Sequence, residues 1–314
     1  MSEHAARTNG CGATRLRYTF AACVTLALTA LSACSTPVSP SPSAAQNSLA
    51  ASQPASPAAS GSGGAPPSPP HGSASARPGN IWQPKPGLTW QWQLSGAVDT
   101  SVNAQVYDID GGENSAAVVA TLHADGRKVI CYVNAGAYES FRADANRYPA
   151  AIIGQSNGWP GERWLDVRRL NVLRPILADR FKACAQKGFD GIEADNVDGY
   201  HNDTGFPLTA ADQLAFNRTV ADLAHAAGLS IGLKNDLDQI PQLVSDFDFA
   251  VNEQCAEYSE CDTLKPFIAA GKAVFHVEYN LPLSEFCRDT TALGLSSMRK
   301  NLNLDAPRWP CPAA

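Results

Sequence analysis

The chain has 314 residues, 44% of them hydrophobic, and a formal charge of −6 that is unevenly placed. Four of the 24 basic and one of the 30 acidic residues precede residue 80, which leaves −9 on the remainder. That balance argues against nucleic acid as a partner and is compatible with a cationic ligand or with simple solubility.

Arg7, Arg15 and Arg17 precede an apolar run from about Phe20 to Leu31. The run is too short to remain in a bilayer and has the shape of a secretory signal. It ends in Leu31-Ser32-Ala33-Cys34, which resembles a bacterial lipobox. That resemblance implies a signal peptide over 1–33, cut before Cys34, with the lipid on the new N-terminal cysteine. An ordinary signal peptide cleaved nearby is the alternative. Ser35 after the cysteine lacks the mark of inner-membrane retention, so export and anchoring to the outer membrane through the N-terminal lipid are expected. Residues 35–79 are nearly all Ser, Ala, Pro and Gly, with Arg77 the only Lys, Arg, Asp or Glu. Such a segment buries too little apolar surface to offset its chain entropy and predicts a disordered tether, reaching roughly 40 Å as a coil.

Residues 80–314 have the length of one (β/α)₈ domain. Of nine cysteines, Cys11 and Cys23 leave with the signal and Cys34 is the lipid site. Cys131, Cys184, Cys255, Cys261, Cys287 and Cys311 remain. An even number in an exported domain favours disulfides, and no C-x-x-C spacing suggests a metal site.

Strands are predicted at Trp90–Leu94, Val106–Ile109, Val129–Asn134, Gly191–Asp195, Ser230–Asn235, Phe249–Glu253, Val274–Tyr279 and Ser296–Asn301. Helical patterns lie between them, as at Val172–Lys187 and Ala210–Ala227, and these two are followed by Gly188 and Gly228. Eight β units alternating with helices predict a closed parallel barrel, an α/β (β/α)₈ TIM barrel, and a monomer. An open doubly wound sheet would carry a Gly-rich phosphate loop after its first strand, and "WQWQLSGAVDT" has none. On the helix at 172–187, Leu173, Leu177, Phe181 and Cys184 share one face. Cys131 alternates with Tyr132 and Asn134 and so points out of the barrel towards that face. A Cys131–Cys184 disulfide follows, with Cys255–Cys261 and Cys287–Cys311 as the pairs left over.

The C-terminal strand ends line the active site of such a barrel. Here they carry Asp108 and Asp110, Asn134, Glu193 and Asp195, Asn235, Glu253 and Glu278, with Lys300 in the eighth strand. Paired carboxylates without metal ligands fit glycoside hydrolysis, one acid protonating the leaving oxygen while the other attacks the anomeric carbon or activates water.

"WQWQL", "VYDID", "VICYVNAGAYE", "WLDV", "GFDGIEADNVDGY", "IGLKN", "FAVNEQC" and "VFHVEYN", in that order, resemble the strand motifs of glycoside hydrolase family 114. These are (β/α)₈ endo-α-1,4-polygalactosaminidases. The resemblance runs from about Trp82 to Asn303. It implies Asp195 as nucleophile and Glu253 as acid/base, at the ends of the fourth and sixth strands, with no cofactor and a cationic galactosamine polymer as substrate. That placement resembles retaining barrel α-galactosidases, so carboxyls roughly 5–5.5 Å apart are expected. The bland alternatives are a loop cap for Asp195 and a salt bridge to Lys234 for Glu253.

Glu193, two residues before Asp195, should lie one layer deeper, paired with Lys234, whose charge also keeps Asp195 ionised. Glu278 and Asp110 are candidates for the substrate ammonium, or for simple rim packing. Asp108, Tyr132, Asn134, Asn196, Lys234 and Asn235 complete the expected substrate-binding set, and Trp159 and Trp164 are candidates for stacking on a sugar ring. Two motifs fail. "ADNVDG" starts a calcium loop with Ala194 where Asp is required, and would close it with Gly205. His276 is a lone strand histidine, and no G-x-S-x-G turn is present. A hydrolase of neutral sugars and a non-catalytic sugar-binding lipoprotein remain as competing readings.

Overall fold

The computed structural model describes residues 81–312. The predicted signal segment, Cys34 and the 34–79 tether lie outside the described residues. In chain order the elements are β1 (Trp90–Gln93), β2 (Val106–Asp110), α1 (Ala116–Ala124) and β3 (Lys128–Asn134). An insertion follows: β4 (Ala137–Glu139), β5 (Ile153–Ser156) and β6 (Glu162–Leu165). Then come α2 (Leu170–Lys187), β7 (Gly191–Asp195), α3 (Ala210–Ala226), β8 (Ser230–Lys234), α4 (Ile240–Leu243) and β9 (Phe249–Glu253). The chain ends with α5 (Lys265–Ala269), β10 (Val274–Glu278), α6 (Leu283–Ala292), β11 (Ser296–Lys300) and β12 (Arg308–Pro310).

All eight predicted strands form, and they lie side by side in parallel in the order β1-β2-β3-β7-β8-β9-β10-β11. Side-chain alternation along each strand splits the apolar residues into two sets. Trp90, Val106, Ile130, Phe249, Phe275 and Met298 meet inside the barrel. Ile109, Cys131, Ile192, Ile231 and Ala250 face outward and pack with Leu173, Leu177, Phe181 and Phe216 of α2 and α3. The α2 face that spacing predicts is the buried one, and the helix stops at Gly188, whose φ of 91° a side chain would oppose. The helix α3 begins in a reciprocal Thr209–Asp212 capping box.

Closure differs from an eight-strand ring. The last strand, β12, adds antiparallel to β11. The gap between β1 and β11 is bridged by side chains: Trp90 Nε1 donates to Ser296 O at 2.8 Å and Arg308 Nη1 to Trp90 O at 2.6 Å. Lys300, expected on the rim, is used here instead. Its buried ammonium donates to Asp305 O and Gln91 Oε1. Cys287–Cys311 ties β12 to α6, Cys255–Cys261 closes the loop after β9, and Cys131–Cys184 links β3 to α2.

Candidate active site

A cleft of about 680 Å³ opens at the C-terminal end of the strands. Lys234 lies at its floor, only 4% exposed, and its Nζ meets Asp195 Oδ1 at 2.9 Å, Glu193 Oε1 at 3.0 Å and Glu253 Oε2 at 3.4 Å. The ammonium also sits over the Trp92 ring, 4.6 Å from its centroid. Burial opposes the charge of Lys234, but the three carboxylates push its pKa well above the ordinary value. Burial would likewise raise Asp195. The Lys234 charge, with hydrogen bonds from Lys234 and Tyr132, outweighs it and holds the Asp195 carboxyl below its usual value.

Three sharp turns aim these groups. Asn196, Asn235 and Gln254 each directly follow a strand-end site residue, and each has a positive φ, of 59°, 50° and 62°. Asparagine tolerates that conformation better than most residues, and its short amide folds back onto its neighbours. Asn196 Nδ2 donates to Asp195 Oδ2 at 3.0 Å, beside the Tyr132 hydroxyl at 2.8 Å. Asn235 Nδ2 donates to Glu253 Oε2 at 3.2 Å while its Oδ1 accepts from the Glu253 amide at 2.9 Å. Gly136 packs so closely on the Asn196 carbonyl that a Cβ would lie 1.7 Å from the oxygen.

The structure therefore brings Asp195, Glu253, Tyr132, Asn196, Lys234 and Asn235 to one cleft. Asp110 lines the same cleft, and the three remaining predicted residues, Asp108, Asn134 and Glu278, take other places. Asp108 is fully buried one layer below, beside Glu193. Burial, and next the Glu193 charge, raise its pKa well above the ordinary value. Asp110 lies at the cleft edge, but its carboxylate is gripped by both Arg142 nitrogens at 2.8 and 2.6 Å and by the Gly112 and Glu113 amides. Arg142 thus already balances the charge of this cleft-lining carboxylate. Asn134 is buried behind Asn196, accepting from it at 3.1 Å and donating to Glu162 Oε2 at 3.0 Å. Glu278 faces outward and is fully buried, accepting from the Ala256 amide at 2.8 Å and pairing with His276 at 2.9 Å.

The residue that carries the inward face of β10 on to the mouth is Tyr279, one position past the strand's end, whose hydroxyl donates to Glu253 Oε1 at 2.5 Å. Its signal was present in the strand itself, because Phe275, Val277 and Tyr279 share one face and His276 and Glu278 the other. The second missed residue is Glu162, on the insertion. There "NGWPGERW" had the Gly/Pro/Asn cluster of a hairpin turn, and β6 pairs antiparallel with both β4 and β5. Trp159 and Trp164 both line the cleft; Trp159 is 46% exposed and Trp164 is buried.

The model of a family described as glycoside-hydrolase family GH114 matches residues 71–313. A solved structure of Aspergillus fumigatus Ega3 in complex with galactosamine is 42% identical with a TM-score of 0.70, covering 73% of this chain and 97% of that one. The glycoside hydrolase domain of PelA from Pseudomonas aeruginosa shares the fold at 14% identity and a TM-score of 0.57, covering 71% of this chain and 98% of that one. An uncharacterised protein of Deinococcus radiodurans is 27% identical over 263 residues, 72% of this chain and 83% of its own length.

Proposed function

The chain belongs to glycoside-hydrolase family GH114, and on that premise we propose that it cleaves internal α-1,4 linkages of a galactosamine-rich polysaccharide with retention of configuration. One observation carries the mechanism: Asp195 and Glu253 meet the same Lys234 ammonium, at 2.9 and 3.4 Å. Their facing oxygens are separated by no more than those two contacts laid end to end. That span accommodates the roughly 5–5.5 Å between the carboxyls of retaining enzymes and supports the retaining reading. Asp195, held ionised, attacks the anomeric carbon through an oxygen. Glu253 gives its proton to the departing glycosidic oxygen. A water then adds to the same carbon, surrendering its proton to Glu253, and the Asp195 ester bond breaks.

The similarity to galactosamine-bound Ega3 and the acidic excess of residues 80–314 support the sugar. The cleft open along the barrel mouth supports internal cleavage. The test is incubation of the purified domain with de-N-acetylated and acetylated α-1,4-galactosamine polymers, sizing the products and following the first-formed anomer by NMR. Oligomers released first as the α anomer are expected; no cleavage, or initial β anomer, overturns the reading. Anchoring through a lipid on Cys34 is proposed with it, and metabolic labelling with a fatty acid that persists in Cys34→Ala would refute the anchor.

A further inference from the structure

Glu139 and Asp195 each lie close enough to Glu162 to perturb it, yet the three acids are not equally compensated. Glu139 is ion-paired with Arg142 at 2.7 Å and with Arg180 at 3.5 Å, and Asp195 has Lys234 at 2.9 Å. Glu162 stands directly opposite Glu139 in the β4–β6 ladder, an arrangement that like charges disfavour. Its Oε2 accepts only from amides, Asn134 at 3.0 Å and Asn157 at 2.8 Å. Among the described residues no Lys, Arg or His pairs with it, and nothing donates to Oε1. Glu162 lines the cleft beside Asp195. A relay of amides fixes the two relative to each other: Asn196 donates to Asp195 and to Asn134, and Asn134 donates to Glu162.

We propose that Glu162 is the specificity-determining carboxylate that binds the C2 ammonium of the galactosamine unit attacked by Asp195. The inference rests on the reading of the site as a galactosaminidase and deepens it. The anomeric carbon and the carbon bearing the amine are bonded neighbours, so a group one amide relay away from the nucleophile is placed for that nitrogen. The ammonium supplies the cation that the protein gives to the other two acids and withholds from this one. An acetylated nitrogen carries no charge and adds bulk against the Asn157 turn, so it gains less there.

The pH dependence follows from the surroundings. Facing Glu162 are Tyr132 of β3, Glu139 of β4 with Arg142 beyond it, and Asp195 of β7, while Asp198, His201 and Asp203 line the same cleft. Burial is the largest influence and, with Glu139 and Asp195, outweighs Asn157 and Arg142 to push the carboxyl up to about 7. Below that pH Glu162 holds a proton and offers no charge to the ammonium. KM for the deacetylated polymer should therefore rise as pH falls through about 7.

Glu162→Gln keeps an oxygen for Asn134 and Asn157 and removes only the charge. With wild type as the first arm, absence of any cleavage of deacetylated polymer sinks the parent reading rather than this one. Where wild type cleaves it, Glu162→Gln should raise KM for deacetylated oligomers about 10- to 100-fold, the worth of one charge-assisted hydrogen bond. It should also flatten the rise of KM below pH 7, while Glu162→Asp restores part of both. An unchanged KM and pH profile would overturn the assignment. So would equal losses on acetylated and deacetylated oligomers, which mark a structural role, or a fall in kcat at constant KM, which marks a proton donor.

Discussion

The Lys234 ammonium lies 2.9 Å from Asp195 Oδ1, and it is the main influence opposing the burial that would otherwise raise that carboxyl. Lys234→Met should let Asp195 rise towards and beyond its ordinary value. With Asp195 as the proposed nucleophile, the acidic limb of kcat/KM then moves to higher pH, because more of that carboxyl is protonated at any acid pH. At neutral pH a loss of about 10²–10³-fold is expected. Glu193, buried beside Asp108, loses its cation too, so stability should fall by roughly 3–5 kcal/mol. A pH–rate profile with an unmoved acidic limb would show that Lys234 does not set the ionisation of Asp195.

Tyr279 and Glu253 form the second such pair, with the hydroxyl donating at 2.5 Å. Tyr279→Phe leaves the ring in place and removes one donor, so the other Glu253 oxygen keeps its bonds to Asn235 and Lys234. With Glu253 as the proposed acid/base, holding it less firmly should cost about tenfold in kcat with little change in KM. Steady-state kinetics decide it; a change confined to KM would make Tyr279 a sugar-binding residue instead.

The barrel was legible in the sequence because burial of both sheet faces demands continuous apolar runs, and eight of these stood between helical patterns. The same burial hid the direction of individual side chains. In "VFHVEYN" the polar His276 and Glu278 share the face turned away from the mouth, so the conspicuous acid is Glu278 while Tyr279 makes the contact. The surroundings of Asp110 and Asp108 were hidden for a related reason. A carboxylate at a strand end reads alike whether it faces solvent, an arginine from 32 residues away or another acid one layer down. Glu162 could not be placed at all until the insertion folded back over the barrel, since its proximity to Asp195 comes from the β4–β6 pairing and not from the barrel pattern.

The Cys131–Cys184 disulfide closes 53 residues of chain, including the insertion that carries Glu162. In the chain-entropy picture a loop of that length is worth about 4 kcal/mol, and measured values commonly fall below it. Replacing both cysteines by alanine should lower stability by about 2–4 kcal/mol by denaturant unfolding, with kcat on short oligomers retained in the folded protein. Gly111→Ala should be damaging on its own, because its Cβ would lie 2.2 Å from Cys131 Sγ. Equal denaturation midpoints for wild type and the double variant would contradict the role given to the bridge.

Phe141, Trp159, Tyr258 and Leu302 are the large apolar side chains left exposed among the described residues, and all four line the cleft. Scattered exposure would need no explanation, but gathering around one opening does. Trp159 and Phe141 come from the insertion after β3, whereas Tyr258 follows β9 and Leu302 follows β11. A polysaccharide crossing the barrel mouth would thus meet apolar platforms contributed by separate loops, with Asp195 and Glu253 between them. Trp159→Ala should raise KM for long polymer about tenfold, as expected on losing a large aromatic surface. Short oligomers that do not reach the platform should be affected much less, and the distribution of product lengths should shift. Tyr258→Ala should shift the distribution differently, because its platform belongs to another loop. If either variant impairs the shortest cleavable oligomer as much as the polymer, the platforms are part of the central site, and the cleft does not grip an extended chain.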